Sequence, residues 1–147
     1  MLLKYCDRGP YRRAGFVDFS GVRRLALEKK AEYQIKAENL ALPVRYLSGG
    51  NQQKIILSRE LSDSPRLIVA AQPTRGLDVG ASEFVRERLM IERGNGAAIL
   101  LISADLEEIL ALSDMIAVMY NGRIMGLFEN SGCPDLTAIG LMMAGKK

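Results

Sequence analysis

Two short apolar runs constrain this chain more than any other feature. RLIVAA (66–71) and AAILLIS (97–103) carry no polar alternation, so each reads as a buried strand of a parallel sheet. Between them, Ala81, Val85 and Leu89 recur on one face of a helix from Val79 to Arg93, ended by Gly94 and Gly96. DLEEILAL (105–112) reads as a short helix, with Asp105 and Glu108 at capping-box spacing and Asp in place of the usual hydroxyl. MIAVMY (115–120), Asn121-Gly122 and RIMGLF (123–128) read as two strands joined by a tight turn. Strand, helix, strand, helix, strand means an α/β fold with a parallel sheet.

Residues 1–64 differ in character. They carry a helical pattern and no clear strand. Val22, Leu25, Ala26 and Tyr33 recur at helical spacing between Asp18 and Glu38, with Ser20 as an N-cap. Pro43 and the Ser-Gly-Gly after it break the pattern. A second helix is expected from Asn51 to Ser62, closed by Pro65. The division expected is therefore 1–64, helical, and 65–147, the α/β part.

The chain contains no histidine, which excludes imidazole acid–base chemistry, histidine metal sites and Ser-His triads from this polypeptide acting alone. A net charge of +3 with acids and bases interspersed does not argue for nucleic acid. The basic, aromatic stretch YCDRGPYRRAGF (5–16) reads as a solvated loop. Cys6 and Cys133 have neither metal-ligand nor CxxC spacing, and a reduced interior is expected. The N-terminus lacks the apolar core of a signal peptide. The longest apolar runs are too short to span a bilayer, and IGLMMAGKK (139–147) reads as a packing tail.

LSGGNQQK (47–54) sets a serine and two glycines directly ahead of a helix. The first N–H groups of a helix have no internal partner, and the dipole there favours negative charge. Gly49 and Gly50 let an anion reach the backbone, and Ser48 adds a hydroxyl donor, so the run suits a phosphate. It also suits a plain serine cap after a flexible turn. On these residues alone the cap has the advantage, because short glycine motifs recur by chance.

Together with PTRGLD (73–78) and LISADLEEIL (101–110), however, this run resembles the ATP-binding-cassette (ABC) ATPases. LSGG matches the family's signature motif. RLIVAAQPTRGLD stands where the family has an apolar strand, Asp-Glu-Pro-Thr and the D-loop. ISADLEEIL stands at the switch-histidine strand. Order and spacing fit across most of the chain; the closer resemblance is to importers of simple sugars and nucleosides, and AAQPTRGLDVGA looks like the C-terminal cassette of the nucleoside type. The resemblance implies a partial P-loop NTPase fold. It implies that Ser48, Gly49, Gly50 and Asn51 bind the γ-phosphate of an ATP held by another cassette, and that Asp78 is the D-loop aspartate crossing the same interface. Asp78 also suits a simple N-cap, and both roles can hold at once.

Three departures fall on one chemistry. Ala71 stands where the family has a magnesium-supporting aspartate, Gln72 where it has the glutamate that polarises water, and Ala104 at the switch histidine. An amide is no carboxylate base, and losing a general base removes about 10²–10⁴ in rate. Each departure alone fits drift or engineered inactivation; the three together imply a degenerate hydrolytic half-site. No GxxxxGK[ST] loop occurs either, so no lysine is offered to β- and γ-phosphates.

The expectation is thus the later part of a second cassette: most of a helical subdomain, then half of the core. The complete transporter would use ATP and Mg²⁺; this chain should bind neither tightly. Expected partners are the N-terminal cassette of the same protein and transmembrane permease subunits, on the cytoplasmic face of the membrane, with no nucleic acid. The alternative is a non-enzymatic interaction module that docks on a complete cassette. A DNA-repair ABC ATPase would need sustained heptads, which are absent. The resemblance also implies that AAILLIS lies beside RLIVAA, with its other neighbour missing and MIAVMY across an empty slot. Open apolar strands invite pairing, so the isolated chain should form homo-oligomers.

Overall fold

The computed structural model describes residues 11–13, 16–131 and 135–146. Cys6, Cys133 and most of the stretch 5–16 lie outside them. The described chain divides into two compact units. One runs up to Ile68 and resumes over Pro73–Ile99; the other takes Val69–Gln72 and the residues from Leu100 onward.

The first unit opens with a small antiparallel pair, β1 (Arg12–Arg13) with β2 (Phe16–Val17), where no strand was expected. Helix α1 (Phe19–Glu32) follows. Its N-cap is Asp18, not Ser20: Asp18 Oδ1 accepts from the N–H groups of Ser20 (3.0 Å) and Gly21 (3.1 Å). The helix stops at Glu32, short of the expected Glu38, because Gln34 takes a left-handed φ of 51°. Helix α2 (Gly49–Glu60) begins at the N-cap Ser48 and runs into a 3₁₀ turn over Leu61–Asp63. Helix α3 (Val79–Gly94) begins at Asp78 and buries Ala81, Phe84, Val85 and Leu89. These meet Tyr33, Ile35, Leu57 and Leu61 as the buried apolar residues of this unit.

Strands β3 (Leu67–Ala71) and β4 (Ala98–Ile102) form a two-stranded sheet. Ala98 N–H donates to Arg66 O, and Gln72 N–H to Ile102 O. The pairing therefore advances in one direction along both strands, as in parallel neighbours. RLIVAA and AAILLIS are adjacent as expected, but coverage on both faces is not met: Leu67, Val69, Leu100 and Ile102 are exposed.

In the second unit, helix α4 (Leu106–Leu112) is capped by Asp105, whose Oδ1 accepts from Glu107 and Glu108 N–H. The cap is one-sided. Asp105's own N–H donates to Ser103 Oγ, the bond a capping box would give to Glu108. Strands β5 (Met115–Tyr120) and β6 (Arg123–Glu129) pair antiparallel across Asn121-Gly122, with a bulge between Val118 and Met119. Both turn residues have positive φ (46° and 74°), the demand of a type I′ turn that Asn-Gly meets. Helix α5 (Leu136–Met143), capped by Asp135, lies on this hairpin. Ile116, Val118 and Ile139 form its core, with Leu106, Ile109 and Phe128 packed around them. The tail is thus a packing element. β5 does not join β3 and β4; among the described residues the strands form three separate pairs.

Candidate signature and D-loop site

Helices α2 and α3 bring five of the residues singled out above into one place. Ser48 Oγ accepts from Asn51 Nδ2 at 2.9 Å and from Asn51 N–H at 3.4 Å. Asn51 Oδ1 in turn accepts from Lys36 N–H at 2.7 Å. The first turn of α2 is therefore pinned to the segment that follows α1. Asp78 caps α3 by accepting from Ala81 N–H at 2.8 Å.

The two glycines are not equivalent. A Cβ at Gly49 would meet only Leu77 Cδ2, at 3.8 Å; Gly49 is exposed. A Cβ at Gly50 would stand 2.7 Å from Ala81 Cβ and 3.7 Å from Asp78 Oδ2; Gly50 is buried. The N-termini of α2 and α3 thus abut at Gly50, with Ser48 exposed at the rim. One turn further on, Gln53 Nε2 donates to Pro73 O at 3.1 Å, tying α2 to the loop that leads to Asp78. Gln53 did not stand out in the sequence, and Ala81 stood out only as one of the apolar residues on a helix face: their partners lie 20 and 31 residues away in a different element, and no local spacing marks these contacts.

The arrangement is a pair of adjoining helix N-termini, whose first N–H groups have no partner within the helix itself and which carry partial positive charge. Ser48 Oγ accepts from Asn51 yet keeps its own proton for donation. The Asp78 carboxylate is engaged in its cap.

Ala71, Gln72 and Ala104 belong to the other unit. Gln72 holds a left-handed φ of 50°, and its N–H bonds to Ile102 O at 2.7 Å, two residues ahead of Ala104. Ala71 and Ala104 are exposed. Two methyl groups and an amide are poor company for a magnesium ion, which takes carboxylate and water oxygens. Among the described residues no cluster of three or more His, Cys, Asp or Glu could hold a metal. These positions do not fit Mg²⁺.

No family model matches the chain. Among individual proteins, it is 43% identical over 145 residues to the guanosine import ATP-binding protein NupO of Bacillus subtilis, covering 99% of this chain and 28% of that protein. It is 40% identical over 139 residues to the nucleoside import ATP-binding protein NupA of Lactococcus lactis, covering 92% and 27%. Against the ribose import ATP-binding protein RbsA of Geobacillus kaustophilus the figure is 37% over 134 residues, 91% and 27%. The chain spans about a quarter of the length of these curated relatives. Among solved structures it superposes on a dimeric ATP-binding cassette in a post-hydrolysis state with ADP and Pi (TM-score 0.66, 22% identity, 82% of this chain and 52% of that one). The homologues of this chain are thus nucleoside and ribose import ATP-binding proteins of the ABC-transporter family, and its fold is that of part of an ABC ATPase cassette.

Proposed function

We propose that this chain is the later part of the second cassette of an ABC importer for nucleosides or simple sugars. It lends Ser48, Gly49, Gly50, Asn51 and Asp78 to an ATP held by another cassette. In this reading residues 1–64 are the helical part that carries the signature run, and residues 65–147 are the later part of the ATPase core. The partners are the N-terminal cassette and the permease subunits at the cytoplasmic membrane face. The observation that supports it is the abutment of the α2 and α3 N-termini at Gly50, with the Ser48 hydroxyl at the rim. Two helix ends give a phosphate N–H donors and positive partial charge without a lysine.

Bound ATP would supply the γ-phosphate, and its Mg²⁺ would sit with the cassette that holds the phosphate loop. This chain's residues bind and orient; Ala71, Gln72 and Ala104 offer neither a base nor a metal ligand. The isolated chain should show no magnesium-dependent hydrolysis, and Gln72→Glu should not create any, since a base without a phosphate cradle has no substrate to act on. In the two-cassette protein, Ser48→Arg should cut turnover by more than about tenfold by filling the rim of the competent site. An unchanged turnover in Ser48→Arg would sink the division of labour.

We also propose that the isolated chain self-associates through its uncovered apolar strand faces.

A further inference from the structure

We propose that Ala81 is a positioning residue for the signature turn. The missing Cβ at Gly50 lets the first turn of α2 sit directly on the Ala81 methyl, and this seat fixes Ser48 relative to Asp78. Its functional meaning rests on the proposed ATP site; the packing itself stands on geometry.

Three observations carry it. The 2.7 Å between an ideal Gly50 Cβ and Ala81 Cβ is about 1 Å inside the normal 3.5–4.0 Å separation of carbon atoms. Neither atom is the far end of a flexible side chain, so a methyl at Gly50 must move a helix rather than a rotamer. Ala81 is also the residue whose N–H holds the Asp78 carboxylate, at 2.8 Å, so pressure on its methyl reaches the D-loop cap directly. Finally, the neighbouring glycine is under no such demand: a Gly49 Cβ stands 3.8 Å from Leu77 Cδ2, an ordinary contact. Of the two glycines, Gly49 is the open one and Gly50 is the packing one.

The test compares Gly49→Ala, Gly50→Ala, Ala81→Gly and the double variant Gly50→Ala/Ala81→Gly in the 147-residue chain, by amide hydrogen exchange and backbone NMR shifts. Gly50→Ala should speed exchange at the Ala81 and Asn51 amides about tenfold or more and move the Ser48 and Asp78 signals. Gly49→Ala should leave the Ala81 amide unchanged. The double variant should return the Ser48 and Asp78 signals toward those of the Ala81→Gly parent, a rescue that a generic loss of helix stability cannot give, since both substitutions would then add. Should Gly50→Ala prevent folding, recovery of a folded spectrum in the double variant supports the seat, and continued unfolding overturns it. Equal effects of the Gly49 and Gly50 substitutions, or no rescue, also overturn it. No nucleotide enters the measurement, so its failure leaves the proposed ATP site standing, and failure of that site leaves the seat standing.

Discussion

Arg88 lies over the ring of Tyr33, its guanidinium carbon 4.3 Å from the ring centroid, and donates to Glu32 O at 2.8 Å. It also stands 5.6 Å over Phe84, whose ring carries Lys54 Nζ at 4.3 Å. Tyr33 and Phe84 meet edge to face, with centroids 6.3 Å apart. One aromatic pair with cations over its rings thus ties the end of α1 to α2 and α3. Arg88→Lys keeps the charge but loses the planar stack, and should cost about 1 kcal/mol; Arg88→Ala should cost about 2–3 kcal/mol, because the bond to Glu32 goes too. Urea midpoints of the two variants check this. Equal midpoints for Arg88→Lys and the parent would show that the stack contributes nothing.

The same pocket predicts an alkaline limit. Burial, then the neighbouring Glu32 carboxylate, pushes the Tyr33 phenol above its ordinary value of 10.0, against the opposing pull of Arg88 and Lys29. A phenol that holds its proton more tightly when folded contributes stability that is fully present below 10.0. That contribution is lost as pH rises through the folded value. Stability should therefore fall more steeply above pH 10.0 in the parent than in Tyr33→Phe. Urea titrations at a series of alkaline pH values decide it, and parallel curves for parent and variant would contradict the shift.

Four of the five described helices start at an aspartate whose Oδ1 takes first-turn N–H groups: Asp18, Asp78, Asp105 and Asp135. The fifth, α2, starts at Ser48. Asp78→Ala should lower stability by about 1 kcal/mol, while Asp78→Ser should retain most of it. Thermal melts of the two variants measure the difference. A similar loss in both would mean that the carboxylate charge, rather than the acceptor oxygen, matters there.

These caps mark how far the sequence could be read. Helix α3 was legible because Ala81, Val85 and Leu89 repeat with its period and Asp78 precedes it. The β5–β6 hairpin was legible because Asn121-Gly122 allows only a few turn geometries. The start of α1 was misplaced by two residues, since Asp18 and Ser20 are both good caps and only the backbone shows which one is extended. Its end was misplaced because Gln34, a residue with no preference for positive φ, makes the break. At the site, LSGG and the Asp78 loop were visible as motifs. That Gly50 is a packing residue was not, because the Ala81 methyl that demands it lies in another helix.

The β5–β6 hairpin turns apolar side chains outward. Ile116 and Val118 point into the core, so their neighbours Met115 and Met119 point out, and they are 52% and 64% exposed. On the facing strand Ile124 pairs with Met119 and Leu127 with Ala117, and these two are 66% and 65% exposed, while Met115 pairs with Glu129 at the end of the ladder. A two-stranded face this apolar is expected to pair with a second copy of the chain. Covering the exposed parts of four such side chains contributes about 1 kcal/mol each, roughly 8 kcal/mol for two protomers. Association itself costs about 4–15 kcal/mol. The gain falls inside that range, and the expected outcome is a concentration-dependent dimer. Light scattering over a dilution series should show the mean mass falling as the chain is diluted. Met119→Lys with Leu127→Lys should hold it at the monomer mass throughout, with an unchanged circular dichroism spectrum, because neither side chain serves the Ile116–Val118–Ile139 core. A monomer at every concentration in the parent would refute self-association. An oligomer that persists in the double-lysine variant would move the contact to another face, such as the exposed row of β3 and β4.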